Sequence, residues 1–301
     1  MHFDFSIIIP TYNRPKQLMD CLNGIAEMRY PHDQFEIIVV DDGSDISIDI
    51  SDFQSFVNVT LLQQINKGPA AARNFGAESA RGRFLAFIDD DCAPAPDWLS
   101  MLSEFLNKEP ECLVGGYVEN ILTKNLYASA SQLIIEMAYD YFQTSHNNNM
   151  FFSSNNMGLS NELFCSLGGF NPAFRTSEDR DLCDRWIMTG YRLRYVPGAI
   201  IYHAHHLELH SFFRQHFNYG RGAWKFNRAH AGRGAPDSTL KIGFYFGILR
   251  RISEKLYGKP YRIALRLFCL LGLWQIANVL GFSCEALNAL IRTERMTDEI
   301  F

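Results

Sequence analysis

Arg83-Phe84-Leu85-Ala86-Phe87-Ile88-Asp89-Asp90-Asp91 is the stretch from which the fold can be worked outward. A short apolar run bounded by turn residues reads as a strand buried on both faces. This one delivers three carboxylates to one edge of a sheet. Upstream, Phe5 to Ile9 is a second such run, stopped by Pro10. Phe35 to Val40 is a third, ending at Asp41-Asp42-Gly43-Ser44, and Val59 to Leu62 is a fourth. Between them, Lys16 to Met28 places Leu18, Cys21, Leu22 and Ile25 on one helical face, and Gly68 to Ala80 is a small-residue helix able to pack close to a sheet. Strands alternating with helices predict an α/β fold with a mainly parallel sheet and right-handed crossovers. In such sheets ligands bind beyond the carboxyl ends of the strands. The polar residues cluster at those ends, after Ile9, Val40 and Ile88.

Further along, Val114 to Val118 predicts a strand and Ala128 to Phe142 a helix. His146-Asn147-Asn148-Asn149 is a polar break, read as a loop. Phe151 to Gly169 holds a strand and a helix, Glu178 to Thr189 is helical, and Tyr191 to His203 contains the last strand. The chain of 301 residues, 47% hydrophobic and 20% charged, is long enough for a packed core and argues against disorder. A net charge of -5 gives no global basic field, which disfavours nucleic acid as a partner. The seven cysteines are odd in number and form no CxxC pair, so they predict reduced thiols in a cytoplasmic protein. The start, Met1-His2-Phe3-Asp4, runs straight into a strand and lacks the pattern of a signal peptide.

Three adjacent like charges repel, so Asp89, Asp90 and Asp91 call for a cation or hydrogen-bond donors. Hard oxygen ligands suit Mg²⁺ or Mn²⁺, bound with phosphate oxygens. Side chains alternate along an extended segment, so Asp89 and Asp91 are expected to converge while Asp90 faces elsewhere. An acidic turn ahead of a helix near Pro96 is the other reading that the triplet alone leaves open.

Taken together, the pattern resembles a family 2 glycosyltransferase of the inverting, GT-A type. The matching segments are Ser6-Ile7-Ile8-Ile9-Pro10-Thr11-Tyr12-Asn13-Arg14, Ile38-Val39-Val40-Asp41-Asp42-Gly43-Ser44 and Asn66-Lys67-Gly68-Pro69-Ala70-Ala71-Ala72-Arg73-Asn74. Phe87-Ile88-Asp89-Asp90-Asp91, Gly168-Gly169-Phe170 and Ser177-Glu178-Asp179-Arg180-Asp181-Leu182 follow in order. The match runs from about residue 4 to about residue 205, and its combination of motifs is far more specific than any one of them.

The resemblance implies a Rossmann-like catalytic domain over 1–207, with a nucleotide-binding half at about 1–100 and an acceptor half at about 101–207. A helical extension over 208–301 would follow. It implies that Pro10, Thr11, Tyr12 and Asp42 hold the donor base, and that Lys67 and Arg73 offset diphosphate charge, with Asp89 also at the donor. Asp89 and Asp91 would hold Mg²⁺ or Mn²⁺, with His203 as a further ligand from a cluster that includes His205, His206 and His210. Asp179 matches the catalytic base, at a helix start whose dipole favours a carboxylate. Glu178 and Asn156, with Asn155, would line the acceptor pocket, and Asp181 reads as structural. The reaction implied is metal-assisted transfer from a nucleotide-sugar, UDP-sugar favoured, to a glycan, lipid-linked or small-molecule hydroxyl. A nucleotidyltransferase would leave Glu178 and Asp179 without a role, and a non-catalytic nucleotide-sugar-binding protein would not need both Asp91 and Asp179.

The motifs do not cover the C-terminal third. His210 to Arg233 is rich in Arg, His and aromatics, and suits core packing, a lid over the diphosphate, or a surface that meets anionic lipid. Lys241 to Ile263 is basic and aromatic, and Ile263 to Leu290 is apolar but interrupted by Arg266, Gln275, Asn278, Glu285 and Asn288. Those interruptions argue against a spanning helix and for an interfacial amphipathic hairpin or a dimer-forming helix pair. A peripheral place on the inner face of the membrane is the corresponding expectation.

Overall fold

The computed structural model describes residues 3–53, 58–144, 151–234 and 250–298. By its internal contacts the chain divides into a sheet-bearing unit, Met1–Ile121 with Asn148–His205, and a helical unit, Leu122–Asn147 with His206–Phe301.

The sheet-bearing unit is built on eight strands: β1 Phe5–Thr11, β2 Phe35–Asp41, β3 Asn58–Gln63, β4 Phe84–Phe87, β5 Cys92–Pro94, β6 Leu113–Asn120, β7 Met157–Ser160 and β8 Leu193–His203. They are ordered β3-β2-β1-β4-β7-β6-β8-β5. The β1–β2, β1–β4, β2–β3 and β6–β8 pairs are parallel; β7 runs antiparallel to β4 and β6, and β5 antiparallel to β8. This is the expected mainly parallel sheet, flanked by helices α1 Pro15–Ala26, α2 Pro69–Glu78, α3 Trp98–Lys108, α5 Asn161–Ser166 and α6 Glu178–Met188. Between α3 and α5 in the chain, α4 Leu126–Thr144 belongs to the helical unit. The apolar strands β1, β2 and β4 are buried throughout except at Pro10, and α1 lays Leu18, Cys21, Leu22 and Ile25 into the same core.

Two local features differ from the sequence reading. Pro10 does not stop β1: the strand continues to Thr11, with Pro10 opposite Val40. The β1–β4 ladder ends at Ile8 and Phe87, so the missing proline N–H faces a side where no ladder bond is needed. The three-residue β5 is too short to carry a periodicity, so no sequence pattern announces it. Close packing of α2 is as expected. A Cβ on Gly76 would come within 2.7 Å of the Ile8 side chain, and Ala70, Ala72 and Ala77 are buried beside it.

The helical unit contains α4, α7 Leu209–Gly232, a helical stretch over 250–256, and α8 Tyr261–Asp298. Its core joins Ala130 and Leu133 of α4 to Leu207, Phe212, Leu267 and Leu270. The boundary expected at residue 207 therefore lacks one element: α4, assigned by sequence to the acceptor half, groups with the C-terminal helices because its apolar face is covered by them. The hairpin expected within Ile263 to Leu290 is instead one continuous helix, since nothing there supplies a turn residue pair. The break at His146 to Asn149 and the basic residue Lys241 lie outside the described residues.

Candidate active site

The strand ends converge as the parallel topology requires. Thr11, ending β1, donates from Oγ1 to Asp90 Oδ2 at 2.7 Å. Arg14, one turn on, reaches both Asp90 Oδ1 and Asp91 Oδ2 at 3.1 Å. Burial pushes the Asp90 carboxyl up to about 6, against the opposing pull of Arg14 and Thr11. Burial also works to raise Asp91, but the hydrogen bond and charge of His203, with Arg14, outweigh it and hold Asp91 well below the usual carboxylate range.

His203 is brought to Asp91 by the β5–β8 pairing, in which Cys92 lies opposite His203 and Ala204 N donates to Asp91 O at 2.9 Å. His203 Nε2 sits 3.3 Å from Asp91 Oδ1. His205 stacks on His203 at 4.9 Å, and burial beside that ring lowers it to about 4, leaving it neutral. His206 and His210 belong to the helical unit.

A 3.3 Å separation of a carboxylate oxygen and an imidazole nitrogen matches two ligands of one divalent cation, which at bonds of about 2.1 Å stand roughly 3.0–3.4 Å apart. Among the described residues, the potential ligand atoms lying within 4.8 Å of one another belong to Asp91, Cys92 and His203. The Cys92 thiol is pushed well above its ordinary value by burial, then by Asp91 and Asp89, so it stays protonated and ligates poorly. The donor set that remains, one carboxylate and one imidazole, fits Mg²⁺ or Mn²⁺, with imidazole favouring Mn²⁺.

Asp89 does not join Asp91 as expected. Its Oδ1 accepts from Arg73 Nη2 at 2.6 Å, while Arg73 Nη1 donates to Glu178 Oε1 at 3.0 Å. Arg73 is buried, lies over the Phe170 ring at 5.7 Å, and has only Nε unpaired. The residue read as a diphosphate ligand is thus a bridge between the end of β4 and the start of α6, because two carboxylates take its guanidinium.

Asp42 is another correction of emphasis. Its carboxylate accepts from Gln64 Nε2 at 2.6 Å, Lys67 N at 2.8 Å and Gly68 N at 2.8 Å, so it shapes the loop after β3 before it can meet a base. The Lys67 side chain and Tyr12 are exposed, Tyr12 at 45%, and both are free to meet a ligand. The loops after β1 and β2 are stitched by Asn13, whose N donates to Ser44 Oγ and whose Oδ1 accepts from Asp45 N, each at 2.8 Å. Asn13 adopts a positive φ of 55°, which a single asparagine tolerates. It belongs to the first matching segment, but the sequence pattern assigns it no role.

Asp179 lies at the start of α6, after Ser177, whose φ of 71° is also left-handed. Among the described residues only Asn13 and Ser177 are non-glycine residues with positive φ, and the serine, unlike the asparagine, stores strain there. Burial, then repulsion from Glu178, raises Asp179 to about 7, with the Arg180 N–H opposing. The preceding loop is fixed from both sides. Asn74 Nδ2 donates to Phe170 O at 2.7 Å and its Oδ1 accepts from Phe170 N at 2.8 Å, while Arg185 grips Leu167 O and Gly169 O. Gly168 and Gly169 have φ of 76° and 67°, and a Cβ on Gly169 would meet Asn74 Oδ1 at 2.6 Å, so glycine is required there. Asp181 is fully buried and bound to Arg185 at 2.9 Å, a structural residue as read.

Asn156 is removed from the pocket. Its Oδ1 accepts from Trp98 Nε1 and its Nδ2 donates to Tyr117 O and Ala199 O, all at 2.9 Å, so the amide is spent on the core. Its neighbour Asn155 is the opposite case: 6% exposed, beside Cys92, with Oδ1 unpartnered.

Comparison with known proteins shows the family and the fold. The family description "Glycosyl transferase family 2" matches residues 6–176. The chain is 29% identical over 241 residues to the pre-mycofactocin glycosyltransferase of Mycobacterium tuberculosis, a match covering 78% of this chain and 50% of that protein, so the chain spans half the length of that relative. Its fold is that of the mannosyltransferase PcManGT from Pyrobaculum calidifontis, solved with GDP-Man and Mn²⁺, at TM-score 0.66 and 18% identity over 96% of this chain and 88% of that one. Residues 1–349 of Staphylococcus aureus TarS, solved with UDP-GlcNAc, superpose at TM-score 0.55 and 17% identity over 94% and 89%.

Proposed function

The chain belongs to glycosyl transferase family 2, and from that premise we propose that it transfers a sugar, with inversion, from a nucleoside-diphosphate sugar to an acceptor hydroxyl. The observation that carries the proposal is the bridge through Arg73. It joins Asp89, next to the Asp91–His203 pair, to Glu178, next to a carboxyl raised to about 7.

In the reaction, the acceptor oxygen attacks the anomeric carbon as the bond from that carbon to the diphosphate oxygen breaks. The electron pair leaves on the diphosphate, and the hydroxyl proton passes to Asp179. Inversion follows from a single in-line displacement. Asp91 and His203 would hold Mg²⁺ or Mn²⁺, which supplies charge stabilisation for the departing diphosphate. Pro10 and Thr11 form the floor for the base and Tyr12 a stacking surface, and Asp42 fixes the loop that carries Lys67 towards the phosphates. Glu178 and Asn155 orient the acceptor, whose class is a glycan, a lipid-linked sugar or a small molecule. A UDP-sugar is the favoured donor, supported by the TarS likeness, with a GDP-sugar as the other choice that PcManGT represents.

The sheet-bearing unit is proposed as the catalytic domain and the helical unit as an extension that meets a membrane or a second copy. Seven unpaired cysteines suit a reducing, cytoplasmic setting. A donor-hydrolysis screen across nucleotide sugars, with Mg²⁺ and with Mn²⁺, tests the proposal. Metal-dependent release of a nucleoside diphosphate is expected, and no release from any donor under any metal would refute it.

A further inference from the structure

The outer face of α8 inverts the usual arrangement of a helix in water. Leu265, Phe268, Ile276, Val279, Leu280 and Leu287 are each about half exposed. At 100° per residue they fall within an arc of about 120°. Between Arg266 and Ile291 the only charged residue is Glu285, and it points inward, 6% exposed, onto Arg221 at 2.7 Å and Lys225 at 3.6 Å. The inner face is held by α7. Gly220 meets the Asn278 backbone and Gly281 meets the Phe217 carbonyl so closely that a Cβ fits at neither.

Three cations stand at the N-terminal end of the strip. Lys259, Arg262 and Arg266 are exposed and form no ion pair with a described residue, whereas Lys255 is bound to Glu136 and Asp140, and Arg250 to Glu254. Tyr257 and Tyr261, 90% and 78% exposed, flank them. Unpaired cations beside exposed tyrosines at the end of an apolar strip match the headgroup zone of an anionic lipid surface.

The length of Tyr261–Ile291, roughly 46 Å at 1.5 Å per residue, exceeds the hydrocarbon thickness of about 30 Å. A spanning pose centred on Ile276 would also carry Arg221, Lys225 and Glu285 just inside the hydrocarbon, roughly 14 Å from its centre at 1.5 Å per residue, together with α7 packed against α8 at Gly220 and Gly281, and charges there are disfavoured. A second copy is a poorer fit: parallel strips would set like cations together, and antiparallel strips would set them against an end whose charges, Arg292 and Arg295 with Glu294 and Asp298, cancel.

We infer that α8 lies in the plane of a lipid surface, its apolar strip among the acyl chains and its Lys259–Arg266 end against anionic phosphate headgroups. This rests on the proposal that the helical unit meets an outside surface, and it is independent of the transfer chemistry.

Vesicle flotation of the full chain tests it, with phosphatidylcholine vesicles and with vesicles that also contain phosphatidylglycerol. The parent is expected to float with the anionic vesicles. Ile276→Glu with Val279→Glu should lower partition at least about tenfold. Lys259→Ser, Arg262→Ser and Arg266→Ser together should erase the difference between vesicle types. Donor hydrolysis without vesicles, expected to be the same in all three proteins, separates a failure here from a failure of the proposed chemistry. Single Phe268→Trp, Ile276→Trp and Leu287→Trp variants should be quenched equally by shallow brominated lipid. Graded quenching along the helix, a parent that floats with neither vesicle, or strip variants that float like the parent would each overturn the inference. So would a parent dimer that dissociates in the strip variant while vesicle binding stays the same.

Discussion

The edge of the sheet and the outer face of α8 treat charge in opposite ways. At the sheet edge, Asp42 follows β2, Asp89, Asp90 and Asp91 follow β4, and Glu178 opens α6, and each is met by a cation or a donor from another segment: Gln64 and backbone N–H groups, Arg73, Thr11, Arg14 and His203. On α8 the only charge within the strip is turned inward, and the outside is left to leucine, isoleucine, valine and phenylalanine. The first pattern is a site whose charges are arranged for a charged ligand. The second is a surface arranged for an apolar one. The difference teaches that burial alone does not mark function; what marks it is where polarity is concentrated against the ordinary inside–outside rule.

If the sheet edge is a metal-assisted site, Asp91→Ala should show the largest effect. Transfer is expected to fall by more than about 10³-fold, matched by EDTA treatment of the parent. Activity that survives both would collapse the contrast between the two regions. Asp179→Asn comes next, with a loss of about 10²- to 10⁴-fold in rate while donor binding is kept, since the amide preserves shape but takes no proton. A rate within a few-fold of the parent would remove Asp179 from the base role.

The pair Asn155 and Asn156 sharpens the comparison within the site. Asn156→Ala strands two buried partners, Trp98 and Ala199, and the half-buried Tyr117, and should cost about 3 kcal/mol of stability, read as a drop in Tm, with the donor KM unchanged. Asn155→Ala leaves no described partner but Cys92 and should hold Tm near the parent while raising the acceptor KM a few-fold. The reverse assignment of effects would return Asn156 to the pocket. The smallest effect belongs to the other region. Glu285→Gln should cost about 1 kcal/mol, because Arg221 and Lys225 are themselves partly exposed, and should leave kcat/KM within about twofold. A large kinetic effect from Glu285 would mean that the two regions are coupled.

Much of the first region was legible in the sequence. Strand ends β1, β2 and β4, and the start of α6, carry residues whose chemistry restricts their identity, so motif and position agree. What sequence could not supply was pairing at long range. Arg73 looked like a phosphate ligand because nothing adjacent announced Asp89 and Glu178 as its partners. The reach of Asp91 to His203 depends on β5, three residues long and set by its antiparallel neighbour. Sequence alone places Asn156 in the acceptor pocket beside Asn155, although Trp98, Tyr117 and Ala199 take its amide. The second region was less legible for a different reason. Many apolar side chains serve equally on a strip, so composition gave the helix but not which face α7 would cover, and the single long α8 replaced an expected hairpin.

The proposed transfer turns on Asp179 as the base, and its most direct test is the pH dependence of kcat/KM for the parent and Asp179→Asn at fixed metal, from about pH 5.5 to about pH 8.5. A base works only when ionised, and burial beside Glu178 has raised this carboxyl to about 7. The parent should therefore rise about tenfold per pH unit on the acid side and level off above about 7, while Asp179→Asn, at its much lower rate, should lack that inflection. A parent profile flat across the range, or the same inflection retained in Asp179→Asn, would contradict the account.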